Sequence, residues 1–243
     1  MYSEKQSDEE LCTNIKQNEQ EKLDRNSLLN FELKKIHELK SQSPHDIFQI
    51  NFDDKIISLQ RIDDTDESST LLLEWRNKYW NFFNSKFDGN MERTKKWINT
   101  INNTPNKILF FIICDGEKIG HLGINLYNHD QNSIEIWSVV RAVKHFSPGL
   151  MEIVLKNFFK WIFSELNIST IYLNVFSDVW KAINLYERCG MQTIGTTPLK
   201  QIRTNDGWIW KNTTLQSKNH YAQRYMNRMK ISSYLKSNPN LIK

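Results

Sequence analysis

A short stretch in the second half of the 243-residue chain combines basic and small side chains in a pattern that suits phosphate binding. Residues 144–150 read Lys-His-Phe-Ser-Pro-Gly-Leu and precede a long amphipathic segment. The start of a helix exposes unpaired N–H groups and the positive end of the helix dipole, and both attract phosphate groups. Ser147 suits a helix cap, Pro148 suits the first helical position, and Gly149 allows close approach of the backbone. The stretch predicts a diphosphate site, with an ordinary capped helix as the alternative.

The elements that must position this loop can be read from the spacing of apolar residues. Alternating or continuous apolar runs predict strands at residues 56–62, 107–114, 118–127, 132–140 and 171–176. Apolar positions at helical spacing predict helices at residues 71–77, 93–101, 148–166 and 179–188. Asp115-Gly116 and residues 205–207 are hairpin turn signals. The order β-α-α-β-β-β-α-β-α-β-β predicts an α/β fold. Its mixed, twisted and mostly antiparallel sheet would carry helices on both faces and one βαβ crossover.

Composition divides the chain into four parts. Residues 1–24 are almost wholly polar and are predicted to be a flexible N-terminal segment. Residues 25–52 are predicted to be an N-terminal helix followed by a linker, because apolar residues recur at helical spacing between positions 28 and 39. Residues 53–232 would form the main domain, and residues 233–243 a basic C-terminal tail.

Charge and cysteine content exclude several classes of protein. Cys12, Cys114 and Cys189 are widely spaced, so they suggest neither a disulfide framework nor a metal site. The longest apolar run, residues 108–113, is far shorter than the ~20 residues that a membrane helix needs. The polar, acid-rich first ten residues do not resemble a secretory signal. We therefore expect a soluble, cytoplasmic protein that binds no nucleic acid. The net charge of +4 is concentrated after Glu187, where it could meet a polyanionic small molecule or form a solvated tail.

Two motifs resemble those of the GNAT superfamily of N-acetyltransferases. Lys144-x-x-Ser147-x-Gly149 is similar to the pyrophosphate loop of that family, Arg/Gln-x-x-Gly-x-Gly/Ala. Residues 182–190, Ala-Ile-Asn-Leu-Tyr-Glu-Arg-Cys-Gly, resemble the family's ending "AixlYeklGF". The resemblance covers residues from about 55 to 231, and the order of elements is the one that the family uses.

The resemblance implies acetyl-CoA or another short acyl-CoA as co-substrate, without a metal. The backbone of Val139 and Val140 would pair with the pantetheine arm, and the loop would hold the diphosphate. The cofactor-binding residues implied are Val139, Val140, Arg141, Lys144, His145, Ser147, Pro148, Gly149, Leu150, Asn174 and Asp178. Two positions depart from the family pattern: Ser147 replaces the first glycine of the loop, and Val179 stands where the family often has asparagine.

Tyr186 and Glu135 are the candidate catalytic residues. A tyrosine with a pKa near ~10 stays protonated at neutral pH, so Tyr186 could return a proton to the departing CoA thiolate. A core tyrosine is the alternative. Glu135 alternates with Ile134 and Ile136 on a strand, so it could face a cleft as a base or face solvent. His121 is a weaker candidate base, and the amine could also lose its proton to water.

The acceptor site is predicted from aromatic and basic residues in two regions, whose alternative role is the core. The candidate substrate-binding residues are Trp75, Arg76, Trp80, Trp208 and Trp210. Aromatic rings with basic side chains suit a sugar or nucleotide. The resemblance extends to N-acyltransferases of sugar-nucleotide and surface-polysaccharide pathways, and implies the amine of a nucleotide-linked amino sugar as acceptor. Acetylation of a protein N-terminus or ribosomal protein, and a non-catalytic acyl-CoA-binding module, are the alternatives. Oligomeric state stays open, including a homo-oligomer.

Overall fold

The computed structural model describes residues 31–41, 46–87, 89–128, 132–213 and 222–233. The strands are β1 (Asp46–Phe52), β2 (Lys55–Arg61), β3 (Ser85–Phe87), β4 (Lys107–Cys114), β5 (Glu117–Asn128), β6 (Ser133–Arg141), β7 (Thr170–Phe176), β8 (Gln192–Thr204), β9 (Gly207–Asn212) and β10 (Arg224–Ser232). The helices are α1 (residues 31–41), α2 (Asp66–Lys78), α3 (Met91–Asn103), α4 (Leu150–Glu165) and α5 (Trp180–Arg188), with a 3₁₀ turn at Trp80–Phe82.

The strands form one sheet in the order β1-β2-β4-β5-β6-β7-β10-β8-β9-β3. β6 and β7 pair in parallel, and the other strand pairs are antiparallel. Helix α4 makes the crossover between β6 and β7, because parallel neighbours cannot be joined by a tight turn. The predicted fold class is therefore confirmed. Within the described part of the chain, the helices lack the length and apolar character needed to cross a membrane.

Helices cover both faces of the sheet. One face packs against α1, α4 and α5 in a core cluster that includes Ile36, Phe158 and Tyr186. The opposite face packs against α2 and α3 in a smaller cluster that includes Trp75 and Ile98. The sheet therefore separates two layers of helices.

Strand β1 falls within residues 25–52, which the sequence analysis assigned to a helix and linker. It pairs with β2 through a turn at Asp53 and Asp54, which have φ angles of 50° and 59°. Aspartate tolerates this left-handed conformation better than most residues, and two such residues make the turn of a hairpin. Asp115-Gly116 forms the corresponding turn between β4 and β5, as predicted.

Candidate active site

The two parallel strands at the centre of the sheet pair over only part of their length. Register pairs join residues 133–136 of β6 to residues 170–173 of β7. β6 continues to Arg141 and β7 to Phe176, so the strands diverge beyond Ile136 and Leu173. The part of β6 beyond Ile136, which contains Val139 and Val140, has no register partner in β7. An extended ligand could pair with such an edge as an added strand would.

A β-bulge lies at the mouth of the wedge. The register between β5 and β6 changes from His121↔Val140 to Gly123↔Trp137, so Ser138 and Val139 both lie opposite Leu122. Ser138 has a φ angle of 56°, which is unusual for a residue other than glycine. Its Oγ lies 3.4 Å from Nδ1 of His121. The bulge changes the direction of β6 at the point where the wedge opens, and such bulges are common near active sites.

The predicted phosphate loop leads into α4, but the helix begins later than the sequence suggested. Gly149 is the N-cap, with a left-handed φ of 87°, and Leu150 is the first helical residue. The helix has no side-chain cap, so the expectation that Ser147 caps it with Pro148 in the first turn is wrong. The left-handed Gly149 moves the helix start past both residues. Ser147 contributes its carbonyl oxygen, which lies 3.4 Å from the Leu150 nitrogen.

The Arg141 side chain forms hydrogen bonds with the backbone of this loop. Its Nε donates to the Val143 carbonyl at 3.1 Å, and Nη2 donates to the Phe146 carbonyl at 2.7 Å. His145 stacks on Phe146 with ring centroids 4.4 Å apart, and its Nε2 lies 3.4 Å from a Glu117 carboxylate oxygen. Arg141 therefore fixes the loop backbone.

The remaining candidate cofactor-binding residues lie in different environments. Lys144 is exposed, while the Leu150 side chain is fully buried in the core. Asn174 is exposed on the diverging part of β7. The Asp178 carboxylate makes an ion pair with Arg224, whose Nη2 lies 2.9 Å from Oδ1. Arg224 is in turn anchored to the Asn81 carbonyl at 3.0 Å, so this ion pair ties the end of β7 to the turn after α2.

Tyr186 lies on α5, on the face of the sheet that α4 covers. Its side chain is 7% exposed and belongs to the larger core cluster. Burial raises the pKa of the Tyr186 hydroxyl well above its ordinary value of 10. The hydroxyl is therefore protonated at neutral pH, which a general acid requires.

Glu135 lies on the opposite face, in the part of β6 that still pairs with β7. A carboxylate oxygen of Glu135 lies 3.4 Å from Nη1 of Arg228 on β10, and the Arg228 guanidinium lies over the Tyr172 ring. The structure thus places Glu135 in an ion pair beside the closed end of the wedge.

A cavity of about 220 Å³ opens beside the bulge, between α2, α3 and the sheet. Its described lining residues are Leu72, Leu73, Arg76, Phe83, Phe87, Gly89, Arg93, Thr94, Trp97, His121 and Ser138. We call this cavity the inner chamber. A second space of about 230 Å³, the outer chamber, is lined by Arg76, Asn77, Trp80, Lys86, Phe87 and Gly89. The two chambers share Arg76, Phe87 and Gly89, so they lie side by side, and we call the two together the recess.

His121 lies at the floor of the inner chamber. Its side chain is 2% exposed, and its ring is stacked on Trp75 with centroids 5.9 Å apart. Burial lowers the pKa of His121 from its ordinary 6.5 to about 4, so the imidazole is neutral at physiological pH. Trp75 is itself buried in the core rather than exposed as an acceptor wall, which corrects the sequence-based expectation.

The predicted tryptophans on the hairpin of β8 and β9 extend the aromatic surface outward. Trp208 contacts Trp80 and Trp210 edge to face, with centroid distances of 6.0 and 5.6 Å. Trp210 contacts Phe176, over which the Arg224 guanidinium lies at 3.5 Å. The structure brings these residues together from four separate parts of the sequence.

Several residues of the recess were missed by the sequence analysis. Arg93, Thr94 and Trp97 lie on one face of α3, and Ser138 is the bulge residue. The spacing of the α3 residues could have marked a shared helix face, whereas nothing in the sequence marks the bulge. Among the described residues, no cluster of three or more His, Cys, Asp or Glu side chains could hold a metal ion.

Comparison with solved structures places the fold. Spermidine N-acetyltransferase from Vibrio cholerae in complex with CoA and spermine matches with a TM-score of 0.58 and 17% identity, over 75% of this chain and 98% of that chain. A dodecameric structure of spermidine N-acetyltransferase from Vibrio cholerae, in an intermediate state, matches with a TM-score of 0.56 and 17% identity, over 76% and 98%. A probable acetyltransferase of the GNAT family from Chromobacterium violaceum matches with a TM-score of 0.56 and 15% identity, over 79% and 90%.

Comparison with family models places the sequence. Residues 71–191 match the family described as Acetyltransferase (GNAT) family. This range contains the wedge, the loop before α4, and Tyr186. No curated protein sequence matches the chain. The chain belongs to the GNAT acetyltransferase family, and it is an acyl-CoA-dependent N-acyltransferase.

Proposed function

We propose that the enzyme transfers an acetyl or short acyl group from acyl-CoA to the amine of a nucleotide-linked amino sugar. The backbone edge at Val139 and Val140 would hold the pantetheine arm, because β7 leaves that edge unpaired. The start of α4 would hold the diphosphate, since Gly149 allows a phosphate to approach the backbone closely. Lys144 adds an exposed positive charge at the same place.

In this proposal, the acceptor amine attacks from the inner chamber. Its nitrogen forms a bond to the thioester carbonyl carbon and loses a proton to solvent, and the C–S bond breaks with the electron pair staying on sulfur. Tyr186 then donates its hydroxyl proton to that sulfur and is reprotonated from solvent. An amine with a pKa near ~8 costs about 1.4 kcal/mol to deprotonate at pH 7, so water is a sufficient proton acceptor. Glu135 stays the candidate protein base.

The observation that carries the acceptor proposal is the recess made by the two chambers. Its described lining combines aromatic rings with the basic side chains of Arg76, Lys86 and Arg93, and it contains no carboxylate. Aromatic rings stack on sugar and base faces, and guanidinium groups pair with phosphate. The surface formed by Trp80, Trp208 and Trp210 continues the recess outward, where a nucleotide would lie.

An acceptor panel tests the proposal. The full chain is incubated with acetyl-CoA and, in turn, UDP- and dTDP-linked amino sugars, spermidine, and a peptide with a free N-terminus. Release of the CoA thiol and the mass of the product are measured. We expect the highest kcat/KM for a nucleotide-linked amino sugar. Preferential acetylation of spermidine or of the peptide would overturn the acceptor assignment, and CoA binding without transfer to any amine would indicate a binding module.

A further inference from the structure

Arg76 lies at the point where the two chambers of the recess meet. It belongs to the last turn of α2, where the helix dipole favours a positive charge. Its guanidinium lies over two aromatic rings, 4.1 Å from the Phe83 centroid and 4.7 Å from the Phe87 centroid. These two contacts constrain the orientation of the planar group.

The positive charge of Arg76 has no carboxylate partner among the described residues. Nη2 donates to the carbonyl oxygen of Ser85 at 2.5 Å and to its Oγ at 3.1 Å, and both of these acceptors are neutral. Burial lowers the pKa of Arg76 to about 10, so the group is still charged at neutral pH. A half-buried charge with no carboxylate beside it is poorly compensated, and a guanidinium with unused N–H groups is suited to a second, bidentate acceptor.

Unlike Arg76, two other arginines of this region form ion pairs with carboxylates. Arg93, which also lines the inner chamber, makes an ion pair with Asp206 at 2.5 Å. Arg224 makes one with Asp178 at 2.9 Å. Each of them is neutralised within the protein. The recess itself has no carboxylate in its described lining, so an anionic ligand could supply the negative charge beside Arg76.

We propose that Arg76 binds an anionic group of the acceptor, a phosphate or a carboxylate, inside the recess. The inference rests on the proposed function only in taking the recess as the acceptor site. It adds a selection rule: the enzyme prefers acceptors that carry a negative charge near the amine, and it rejects polycationic amines. A polycation would meet the positive charges of Arg76 and Lys86, with no carboxylate in the described lining to receive it.

Binding of small anions to the full chain tests the proposal without any turnover. Calorimetry with UDP, pyrophosphate, succinate and uridine is performed on the wild type, Arg76→Gln, Arg76→Lys and Lys78→Gln. Lys78→Gln is the matched control, because it removes one positive charge from the same helix turn outside the chamber linings. We expect Arg76→Gln to weaken at least one of the anions about tenfold or more and to leave uridine unchanged, with Lys78→Gln resembling the wild type. Comparing the affinities for UDP and pyrophosphate with the affinity for succinate shows whether Arg76 binds a phosphate or a carboxylate group.

Arg76→Lys and one further variant keep the test decisive. Arg76→Lys keeps the charge without the planar fork, so it should bind anions with intermediate affinity, and its acyl-CoA affinity reports correct folding. Asp88 follows Phe87 in the sequence but lies outside the described residues, so an Asp88→Asn variant is included. Unchanged anion affinity in this variant supports the proposal. A marked gain would mean that Asp88 is the counterion of Arg76, and would overturn it.

The outcomes separate the inference from the proposed function. If a nucleotide-linked amino sugar is acetylated and Arg76→Gln leaves both its KM and the anion affinities unchanged, the role of Arg76 is refuted and the proposed function stands. If anions bind in an Arg76-dependent manner but nucleotide-linked amino sugars are not acetylated, the inference stands and the acceptor must be a different anionic amine.

Discussion

The ammonium group of Lys40 caps the C-terminus of α3, with Nζ 2.6 Å from the carbonyl oxygen of Thr104. The same nitrogen lies 3.0 Å from the Ile101 carbonyl and 3.2 Å from the Asn102 carbonyl. A lysine has three N–H donors, and the last carbonyls of a helix lack partners within it, so the two sets match. A residue of α1, outside the range that matches the family, thereby holds the helix that lines the inner chamber.

The first prediction concerns this contact. Lys40→Met removes the three hydrogen bonds and keeps much of the aliphatic stem, so we expect the free energy of unfolding to fall by about 1.5–3 kcal/mol. Because α3 carries part of the inner chamber, KM for the acceptor should rise several-fold while acyl-CoA affinity is unchanged. Lys34→Met, at an exposed position on the same helix, is the control. Equal acceptor KM values in both variants would show that Lys40 is dispensable for the acceptor site.

A second prediction separates the N-terminal segment from helix α1. A chain that begins at Asn26 should keep the turnover of the full chain, because residues 1–24 carry no apolar periodicity and no candidate site residue. A chain that begins at position 42 loses both Lys40 and the buried Ile36, so it should be less stable and bind acceptor weakly. Thermal unfolding and steady-state kinetics measure both effects. Loss of turnover in the first truncation would assign residues 1–24 to the acceptor site.

The third prediction concerns the loop before α4. Gly149→Val places a β-branched residue at a φ angle of 87°, where L-residues are strained, although a new Cβ would find its closest neighbour, Phe52, at 3.6 Å. Gly116→Val, at a φ of 81° in open space, imposes the same strain in a hairpin turn outside the loop. Both variants should lose about 1–2 kcal/mol of stability. Only Gly149→Val should raise the acyl-CoA dissociation constant several-fold, as measured by calorimetry. An unchanged dissociation constant in a folded Gly149→Val variant would remove the diphosphate from this loop.

The fold was predictable from local signals, whereas the site was predictable only in part. Apolar periodicity placed the βαβ crossover, and Asp115-Gly116 placed the hairpin between β4 and β5. Strand β1 was not predicted, because the turn at Asp53 and Asp54 contains no glycine and its left-handed conformation depends on the neighbouring strands.

Tertiary packing explains the remaining differences within the site. Arg93 and Trp97 reach the inner chamber because α3 packs beside α2, which no local pattern encodes. Trp75 and Arg76 are adjacent in sequence, yet one points into the core and the other lines the recess. Residue type alone cannot distinguish them, since an aromatic helix face is equally typical of a core and of a binding wall. The bulge at Ser138 likewise depends on the pairing of β6 with β5.

The fourth prediction concerns the pH dependence of stability. His121 has a lowered pKa of about 4 in the folded state, so between pH 6.5 and 4 the unfolded chain binds a proton that the folded chain does not. The free energy of unfolding should therefore fall as the pH drops through this window, by up to about 3 kcal/mol from this group. His121→Gln should lose that component, whereas His37→Gln, at an exposed position, should keep it. Denaturant unfolding at several pH values measures the difference, and parallel curves for wild type and His121→Gln would contradict it.

The last prediction concerns Tyr186. Tyr186→Phe keeps the packing of the ring and removes only the hydroxyl, so stability should change by roughly 0.5–1.5 kcal/mol. If the hydroxyl protonates the departing thiolate, kcat should fall by about 10²-fold or more with acyl-CoA affinity little altered. Tyr225→Phe, at an exposed position, should leave kcat unchanged and serves as the control.

Acyl donors with different thiols distinguish an acid from a packing residue at position 186. A more acidic thiol leaves without help, so the deficit of Tyr186→Phe should shrink when acetyl-CoA is replaced by an acetylated aromatic thiol. Because burial raises the pKa of Tyr186 well above 10, the wild-type rate should show no loss from this group up to about pH 10. A deficit that is the same for every thiol would mean that Tyr186 acts only through packing, and the departing sulfur would then take its proton from water.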